Sequence, residues 1–120
     1  MITDSIFREY DIRGVIGRDV NAEGFFLLGR AFATYVERFT QSCKIVVGYD
    51  GRLTSPELVT ALIQGLIQSG AEVINIGCGP TPMLYFASHH LDATAALMVT
   101  GSHNPPEYNG LKMVIDNKAV

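Results

Sequence analysis

The chain of 120 residues is 48% hydrophobic and 18% charged, a composition that is typical of one folded domain and argues against a disordered segment. Its net charge is −3 and its Lys and Arg residues occur singly, which excludes the basic stripe of a nucleic-acid-binding surface. The chain also lacks an apolar signal segment and any apolar run near the ~20 residues of a membrane span. We therefore expect a cytoplasmic protein without membrane or nucleic-acid partners.

The first predicted element is a helix that begins after Asn21 and continues to about Phe39. Asn is a common helix cap because its side chain accepts a hydrogen bond from a free backbone N–H group. The residues after it repeat apolar side chains at helical spacing. This repeat gives the helix one apolar face, formed by Phe25, Leu28, Phe32, Tyr35, Val36 and Phe39.

A strand and a second helix are predicted next. KIVVGYD (44–50) is short, rich in β-branched residues and ends in Gly and Asp, as a buried strand before a loop does. Ser-Pro-Glu at 55–57 predicts an N-cap, a proline at the first helical position and an acid in the first turn. This helix should end at Ser-Gly (69–70), because Gly adopts the left-handed conformation that closes many helices.

The second half of the chain continues this alternation. AEVINIG (71–77) predicts another strand, and GPTPMLYFASHH predicts a short helix with Thr81 as its cap and Pro82 in its first turn. Two further strands are predicted at ATAALMV (93–99) and GLKMVI (110–115). No helix is indicated between them, so we expect these two strands to be antiparallel or to be joined by a functional loop.

Alternating strands and helices of this kind build an α/β domain. We predict one domain over residues 1–120, a three-layer α/β/α sandwich around a mixed, mainly parallel sheet of about four strands. In such sheets ligands bind beyond the carboxyl ends of the strands. The segments YDGR, GCGPTP and TGSHNPP each follow a predicted strand, so candidate chemistry is expected at this edge.

The segment TGSHNPP (100–106) has residue types that suit a bound phosphate. Gly101 allows the backbone to approach an anion closely, and Ser102 offers a hydroxyl that would need activation by a base, a metal or both. His103 titrates near neutral pH, and Asn104 can form local hydrogen bonds. The alternative is an ordinary Asx-type turn that ends a strand. The residues by themselves leave both interpretations open.

A lysine stands inside the last apolar run. Lys112 is surrounded by apolar neighbours in GLKMVI. It can be a charge that guards an edge strand against aggregation. Alternatively, it is a cation held close to the Ser102 segment, where it donates or accepts a proton.

The N-terminal segment FREYDIRGVIG brackets Tyr10 and Asp11 between Arg8 and Arg13. One interpretation is a solvated hairpin with a single ion pair. The other is an arginine presented to a phosphate, for which the planar guanidinium is well suited.

Four further features have simpler interpretations. Asp-Gly-Arg at 50–52 predicts either an internal ion pair or a substrate contact. GCGPTP begins like a dinucleotide-binding loop but has Pro82 where the third Gly belongs, so it predicts a helix entry. The two His at 89–90 end a helix and suit its C-terminal dipole. Cys43 and Cys78 lie far apart without a CxxC motif, which indicates two reduced thiols.

Three segments, FREYDIRGVIG, VVGYDGRLTSPEL and TGSHNPPEYNGLKMV, together resemble the N-terminal domain of the α-D-phosphohexomutases. The resemblance covers essentially the whole chain, in the right order, and lies closest to the phosphomannomutase/phosphoglucomutase branch. TGSHNPPEYNGLK is its specific signature. The phosphoglucosamine mutase branch is similar but typically has Ala in place of Gly101 and a TDGIRG-like opening. The resemblance therefore favours hexose phosphates over glucosamine phosphates.

The resemblance implies an enzyme that transfers phosphate between C1 and C6 of mannose or glucose phosphate through a bisphosphorylated sugar. Ser102 matches the serine that carries the phosphoryl group, and its phosphate would also be a ligand of Mg²⁺. Sugar 1,6-bisphosphate is the implied activator. His103 and Asn104 match the rest of this segment, as catalytic and substrate-binding residues respectively.

Three other residues match functional positions of the family. Lys112 matches a lysine considered for general acid/base work. Tyr10 and Arg13 match residues near the phosphoserine and the substrate, so both are implied to bind substrate and Arg13 also to take part in catalysis.

The family domain is the first of four, which implies the remaining mutase domains as partners in cis. Its acidic Mg²⁺ loop, with a DxDxD pattern, lies in a later domain, and here Asp116 has no second Asp at that spacing. We therefore expect the 120-residue chain alone to be inactive. The alternatives are a non-catalytic sugar-phosphate-binding module and a purely structural domain.

Overall fold

The computed structural model describes residues 11–15, 21–40, 43–91, 93–101, 108–115 and 118–119. The elements in chain order are β1 (Asp11–Val15), α1 (Ala22–Thr40), β2 (Lys44–Tyr49), α2 (Ser55–Gln68), β3 (Glu72–Cys78), α3 (Thr81–His90), β4 (Ala95–Val99), β5 (Tyr108–Ile115) and β6 (Lys118–Ala119). Within these ranges, no helix is both long and apolar enough to cross a lipid bilayer.

The strands form one mixed sheet in the order β1-β5-β4-β2-β3, with β6 paired to β5. Strand β2 is parallel to β3 and β4, and β5 is antiparallel to β4, β1 and β6. The predicted α/β class and the antiparallel pairing of the last two predicted strands are confirmed. The described part of the sheet has six strands rather than about four, because β1 and β6 also pair with β5.

Helices cover both faces of the sheet, which confirms the predicted three layers. Alternate residues of β2 point to opposite faces, as the pleat of a strand requires. Ile45 and Val47 pack with α1 and α2 in the larger core, and Val46 packs with Leu84 of α3 in the smaller one. Since both faces of β2 and β4 are buried, their sequences are nearly continuous apolar runs.

Two glycines allow α1 and α2 to pack closely. Gly29 of α1 lies against the backbone of Leu62 and Leu66, and Gly65 of α2 lies against the backbone of Phe26. A Cβ atom on either glycine would overlap the main chain of the facing helix. Glycine inside a helix costs about 1 kcal/mol relative to Ala. At these two positions the close approach of the helix backbones comes at this cost in local helix stability.

The predicted start of the first helix and the predicted end of the second are confirmed. Asn21 caps α1, since its Oδ1 accepts a hydrogen bond from the N–H of Gly24 at 2.7 Å. Gly70 follows α2 with a φ of +96°, in the left-handed region that favours glycine.

The predicted caps of α2 and α3 are wrong by one residue. Ser55 is the first residue of α2, and the cap position belongs to Thr54. Thr81 is likewise the first residue of α3, after Pro80. The Ser55 side chain is fully buried and donates its hydrogen bond to a carboxylate instead of accepting one from the helix. A hydrogen bond to a charged acceptor is the stronger of the two.

Candidate functional site

The carboxyl ends of the three parallel strands meet at one edge of the sheet. The N–H of Asp50, after β2, donates to the carbonyl of Val99 at the end of β4, at 3.0 Å. The N–H of Gly79, after β3, donates to the carbonyl of Tyr49 at 3.0 Å. The segments that begin after β2, β3 and β4 therefore lie at the same edge, as expected for parallel strands.

Strand β5 begins at this same edge, because it is antiparallel to β4. The N–H of Thr100 donates to the carbonyl of Gly110 at 3.0 Å. Segment 102–107 is thus flanked by an N-terminal stem, Thr100 and Gly101, and a C-terminal stem, Tyr108 to Gly110, which lie side by side.

The carboxylate of Asp50 accepts five hydrogen bonds at this edge. Its Oδ1 accepts from the hydroxyl of Ser55 at 2.6 Å and from the N–H of Arg52 at 3.2 Å. Its Oδ2 accepts from the hydroxyl of Thr100 at 2.9 Å and from the N–H of Gly101 at 3.1 Å. The fifth donor is Nε of Arg52, which forms an ion pair with Oδ2 at 3.1 Å. The predicted internal ion pair of residues 50–52 is therefore confirmed.

These contacts determine the charge state of Asp50. Burial by itself would raise the pKa of this carboxyl group, but hydrogen bonds from two hydroxyls and two backbone N–H groups outweigh burial and lower the pKa. Asp50 is consequently ionised at neutral pH. An ionised carboxylate only accepts hydrogen bonds, which matches its five donors.

Arg52 links the two stems through its guanidinium group. Its NH1 atom donates to the carbonyl of Tyr108 at 3.2 Å. The same guanidinium lies over Gly101, where a Cβ atom would overlap it. From the sequence, we expected Gly101 to allow an anion to approach the backbone closely. In the structure, the space that a side chain at this position would occupy is taken by Arg52.

Asn109 connects the C-terminal stem to the start of α2. Its Nδ2 donates to the hydroxyls of Thr54 and Ser55, both at 2.9 Å, and its Oδ1 accepts from the N–H of Gly110 at 2.9 Å. Ser55 passes this chain of hydrogen bonds on to Asp50. We call this set of connected residues the stem network: Asp50, Arg52, Thr54, Ser55, Thr100, Gly101, Tyr108, Asn109 and Gly110.

Sequence reasoning missed the role of the buried polar side chains of the stem network, Ser55, Thr100 and Asn109. It assigned Ser55 only to a helix cap and gave Thr100 and Asn109 no role of their own. A signal was present for Thr100, which continues the apolar run ATAALMV with a polar side chain. In the part of the chain that the structure describes, no buried side-chain nitrogen or oxygen lacks a hydrogen-bond partner.

Lys112 lies in β5, between β1 and β4. Its register partners are Asp11 on β1 and Met98 on β4. The interpretation of Lys112 as an edge-strand guard is therefore wrong, because β5 is paired on both sides. Its neighbours Leu111 and Met113 enter the larger core, so the partly buried Lys112 is on the opposite face, the one that α3 covers.

Arg13 is placed in β1, where it pairs with Gly110 of the C-terminal stem. The hairpin interpretation of the N-terminal segment does not hold for residues 11–15, since they form a strand of the main sheet. Arg13 and Lys112 are thus brought to neighbouring strands, two register positions apart. The other candidates lie outside the described residues and stay predictions: Tyr10, Ser102, His103 and Asn104.

The structure agrees with the interpretations given above for GCGPTP, the two His at 89–90 and the two cysteines. GCGPTP leads into α3, with Pro82 in its first turn. The two His at 89–90 end α3, and the ring of His90 stacks on Phe86 with centroids 5.7 Å apart. Cys43 and Cys78 are both free thiols.

Comparison with known proteins decides the family. Residues 4–119 match the family described as phosphoglucomutase/phosphomannomutase, alpha/beta/alpha domain I. The chain belongs to this family. The resemblance inferred from its motifs is therefore confirmed.

Relatives of this domain I chain are named as mutases. The phosphomannomutase/phosphoglucomutase of Pseudomonas aeruginosa is 50% identical over 111 residues, which are 92% of this chain and 24% of the relative. The phosphoglucomutase of Neisseria gonorrhoeae is 44% identical over 114 residues, 95% of this chain and 25% of the relative. This chain thus spans about a quarter of the length of the curated relatives it matches.

A solved structure shares the fold of this domain. The crystal structure of a phosphoglucomutase/phosphomannomutase family protein from Burkholderia thailandensis aligns with a TM-score of 0.86 at 45% sequence identity. The alignment covers 100% of this chain and 28% of that chain.

Proposed function

We propose that this chain is the N-terminal domain of a phosphosugar mutase, an intramolecular phosphotransferase in which Ser102 carries the phosphoryl group. The substrate would be a hexose phosphate, of mannose or glucose, and the remaining mutase domains would act in cis. One observation carries the proposal. Hydrogen bonds hold both stems of the segment that contains Ser102 at the edge where α/β domains bind ligands.

The proposed reaction has two half-reactions. Phospho-Ser102 first gives its phosphoryl group to the free hydroxyl of a hexose monophosphate. The bond between phosphorus and the serine oxygen breaks and a bond to the sugar oxygen forms. The sugar hydroxyl gives its proton to a base, and the departing serine oxygen takes up a proton from an acid. The bisphosphorylated sugar turns over in the site and returns its other phosphate to Ser102. Free sugar 1,6-bisphosphate would act as an activator because it can phosphorylate Ser102 when this serine carries no phosphoryl group.

Phosphoryl transfer depends mainly on positioning and on neutralising charge. Arg13 and Lys112, on neighbouring strands, are the proposed cations of this domain. His103 and Lys112 are the proposed proton carriers, and proton transfer of this kind contributes about 10²- to 10⁴-fold in rate. Tyr10, Asn104 and Arg13 are proposed to bind the substrate.

Mg²⁺ is proposed to bind an oxygen of the Ser102 phosphate and to offset its charge of about −1.5 to −2. The carboxylate of Asp50 is already committed to five donors of the protein. Among the described residues, no three His, Cys, Asp or Glu side chains are grouped so that they could bind a metal. The resemblance to the family implies the acidic loop of a later domain as the source of the further Mg²⁺ ligands.

Substitution of Ser102 by Ala in the complete mutase chain tests the proposal. Turnover of mannose 1-phosphate and glucose 1-phosphate, followed by ³¹P NMR, should be lost because no oxygen is left to carry the phosphoryl group. Binding of the sugar phosphate, measured by calorimetry, should remain. Ser69→Ala, at the far end of α2, is the matched control and should keep full turnover.

A second measurement separates a mutase from a module that only binds sugar phosphates. Intact mass and peptide mapping after incubation with glucose 1,6-bisphosphate should locate one phosphoryl group on Ser102. Unchanged turnover in Ser102→Ala, or a phosphoryl group on another residue, would contradict the proposal.

A further inference from the structure

Both stems of segment 102–107 are held by the same short stretch of chain. The N-terminal stem is bound by Asp50, through the hydroxyl of Thr100 at 2.9 Å and the N–H of Gly101 at 3.1 Å. Gly101 directly precedes Ser102, so one hydrogen bond separates the Asp50 carboxylate from the backbone that leads into the proposed nucleophile.

The C-terminal stem is bound by residues that follow Asp50 within five positions. Arg52 donates to the carbonyl of Tyr108 at 3.2 Å, and Asn109 donates to the hydroxyl of Ser55 at 2.9 Å. Ser55 and Arg52 in turn donate to Asp50 at 2.6 Å and 3.1 Å. The two stems share the backbone hydrogen bond from Thr100 to Gly110, and the Asp50 carboxylate links them a second time through side chains.

Only an acceptor with four lone-pair sites fits the position of Asp50. Its Oδ1 accepts two hydrogen bonds and its Oδ2 accepts three. In Asn, an NH₂ group replaces one of the two carboxylate oxygens. In either orientation of the amide, this NH₂ group would face hydrogen-bond donors and lose the hydrogen bonds that the oxygen accepted. The contacts of Arg52 with Asp50 and Tyr108 also give its guanidinium a structural task, which disfavours the substrate-contact interpretation.

We propose that Asp50 is a positioning residue of the mutase reaction: its carboxylate sets the geometry of both stems and thereby the placement of the Ser102 oxygen. The inference rests on the function proposed above. A displacement of about 1 Å at a reacting group can lower the rate by about 10²-fold. Loss of the Asp50 carboxylate should therefore affect catalysis more than substrate binding.

The test compares Asp50→Asn with a matched core variant in the complete mutase chain. Asp50→Asn should lower kcat by about 10²-fold with little change in KM. Val59→Ala, in the buried face of α2, destabilises the same domain away from the stem network and should keep kcat. Thr100→Val should also lower kcat. The conservative variant Thr100→Ser should keep the wild-type kcat, because Ser keeps the hydroxyl that donates to Asp50.

The outcomes separate the inference from the proposed function. An inactive Ser102→Ala chain together with normal kcat in Asp50→Asn would overturn the inference alone. An equal fall of kcat in Val59→Ala and Asp50→Asn would also overturn it, since the effect would then follow stability. Turnover in Ser102→Ala would instead overturn the proposed function. A fall of kcat confined to Asp50→Asn and Thr100→Val supports the positioning role.

Discussion

At the scale of single residues, Asp50 connects parts of the chain that are distant in sequence. Its hydrogen bonds with Thr100 and Gly101 span 50 and 51 positions. A partly buried carboxylate is costly without partners, and here each oxygen has several. The same contacts that stabilise the charge also hold the stems, so stability and geometry depend on one ionised group.

The stability contributed by Asp50 should depend on pH in the acid range. Since its pKa is lowered in the folded chain, the contribution is complete above the unfolded value of ~3.9 and is lost as the pH falls through the folded value. Asp50→Asn should reduce the free energy of unfolding by about 2 kcal/mol at neutral pH. At about pH 3, below the unfolded value, the reduction should be smaller, because the unfolded wild-type chain then binds a proton at this carboxyl group and is stabilised by it.

Urea unfolding of the 120-residue chain at both pH values measures this difference. Glu72→Gln, on an exposed side chain of β3, serves as the control for loss of a negative charge. The same stability loss for Asp50→Asn at both pH values would show that the charge of Asp50 has no part in it.

At the scale of elements, α1 packs closely on α2, and α2 begins at the sheet edge that carries the stem network. Gly29 and Gly65 let the two backbones meet, and the first residue of α2 is Ser55, a member of the stem network. The helix that supplies the Ser55 hydroxyl therefore packs on its neighbour through two glycines.

Gly65→Ala should destabilise the chain although Ala is the better helix former. Its Cβ would overlap the carbonyl of Phe26, so the helices must separate. We expect a loss of about 2 kcal/mol in the free energy of unfolding, within the usual range for overpacking. Gly51→Ala, which has open space around the new Cβ, should change it by less than about 0.5 kcal/mol.

Thermal and urea unfolding of the two variants make this comparison. A Gly65→Ala chain as stable as the wild type would mean that α1 and α2 are not held at this separation.

At the scale of the whole molecule, the chain has its own core on both faces of the sheet but spans about a quarter of its curated relatives. Among the residues that the structure describes, four large hydrophobic side chains are exposed: Leu27, Leu53, Ile67 and Phe86. Under the proposed function, this domain supplies the phosphoryl carrier and the other domains supply the rest of the site.

The purified 120-residue chain should therefore fold but not isomerise sugar phosphates. Circular dichroism should report its helices and strands. ³¹P NMR should show no conversion of mannose 1-phosphate with Mg²⁺ and sugar 1,6-bisphosphate, conditions under which the complete mutase is the positive control. Measurable conversion by this chain alone would show that the domain contains a full active site.

Local patterns in the sequence determined most of the elements and the family. The apolar repeat of α1, the cap at Asn21 and the turn at Gly70 all depend on residues within a few positions of each other. The motif around Ser102 likewise identified the mutase family without any tertiary information. The same patterns did not predict β1, because Asp11–Val15 becomes a strand only by pairing with β5, far along the chain.

Tertiary structure decided how the candidate site is built. Lys112 is interior to the sheet rather than at its edge because β1 crosses to the far side of β5. Ser55 was expected to cap a helix, but its hydroxyl donates a hydrogen bond to Asp50. The same hydroxyl accepts a hydrogen bond from Asn109, which is 54 positions away in the sequence. Hydrogen bonds between such distant residues leave no periodic trace in the sequence, since they depend on where the folded sheet brings the ends of its strands together.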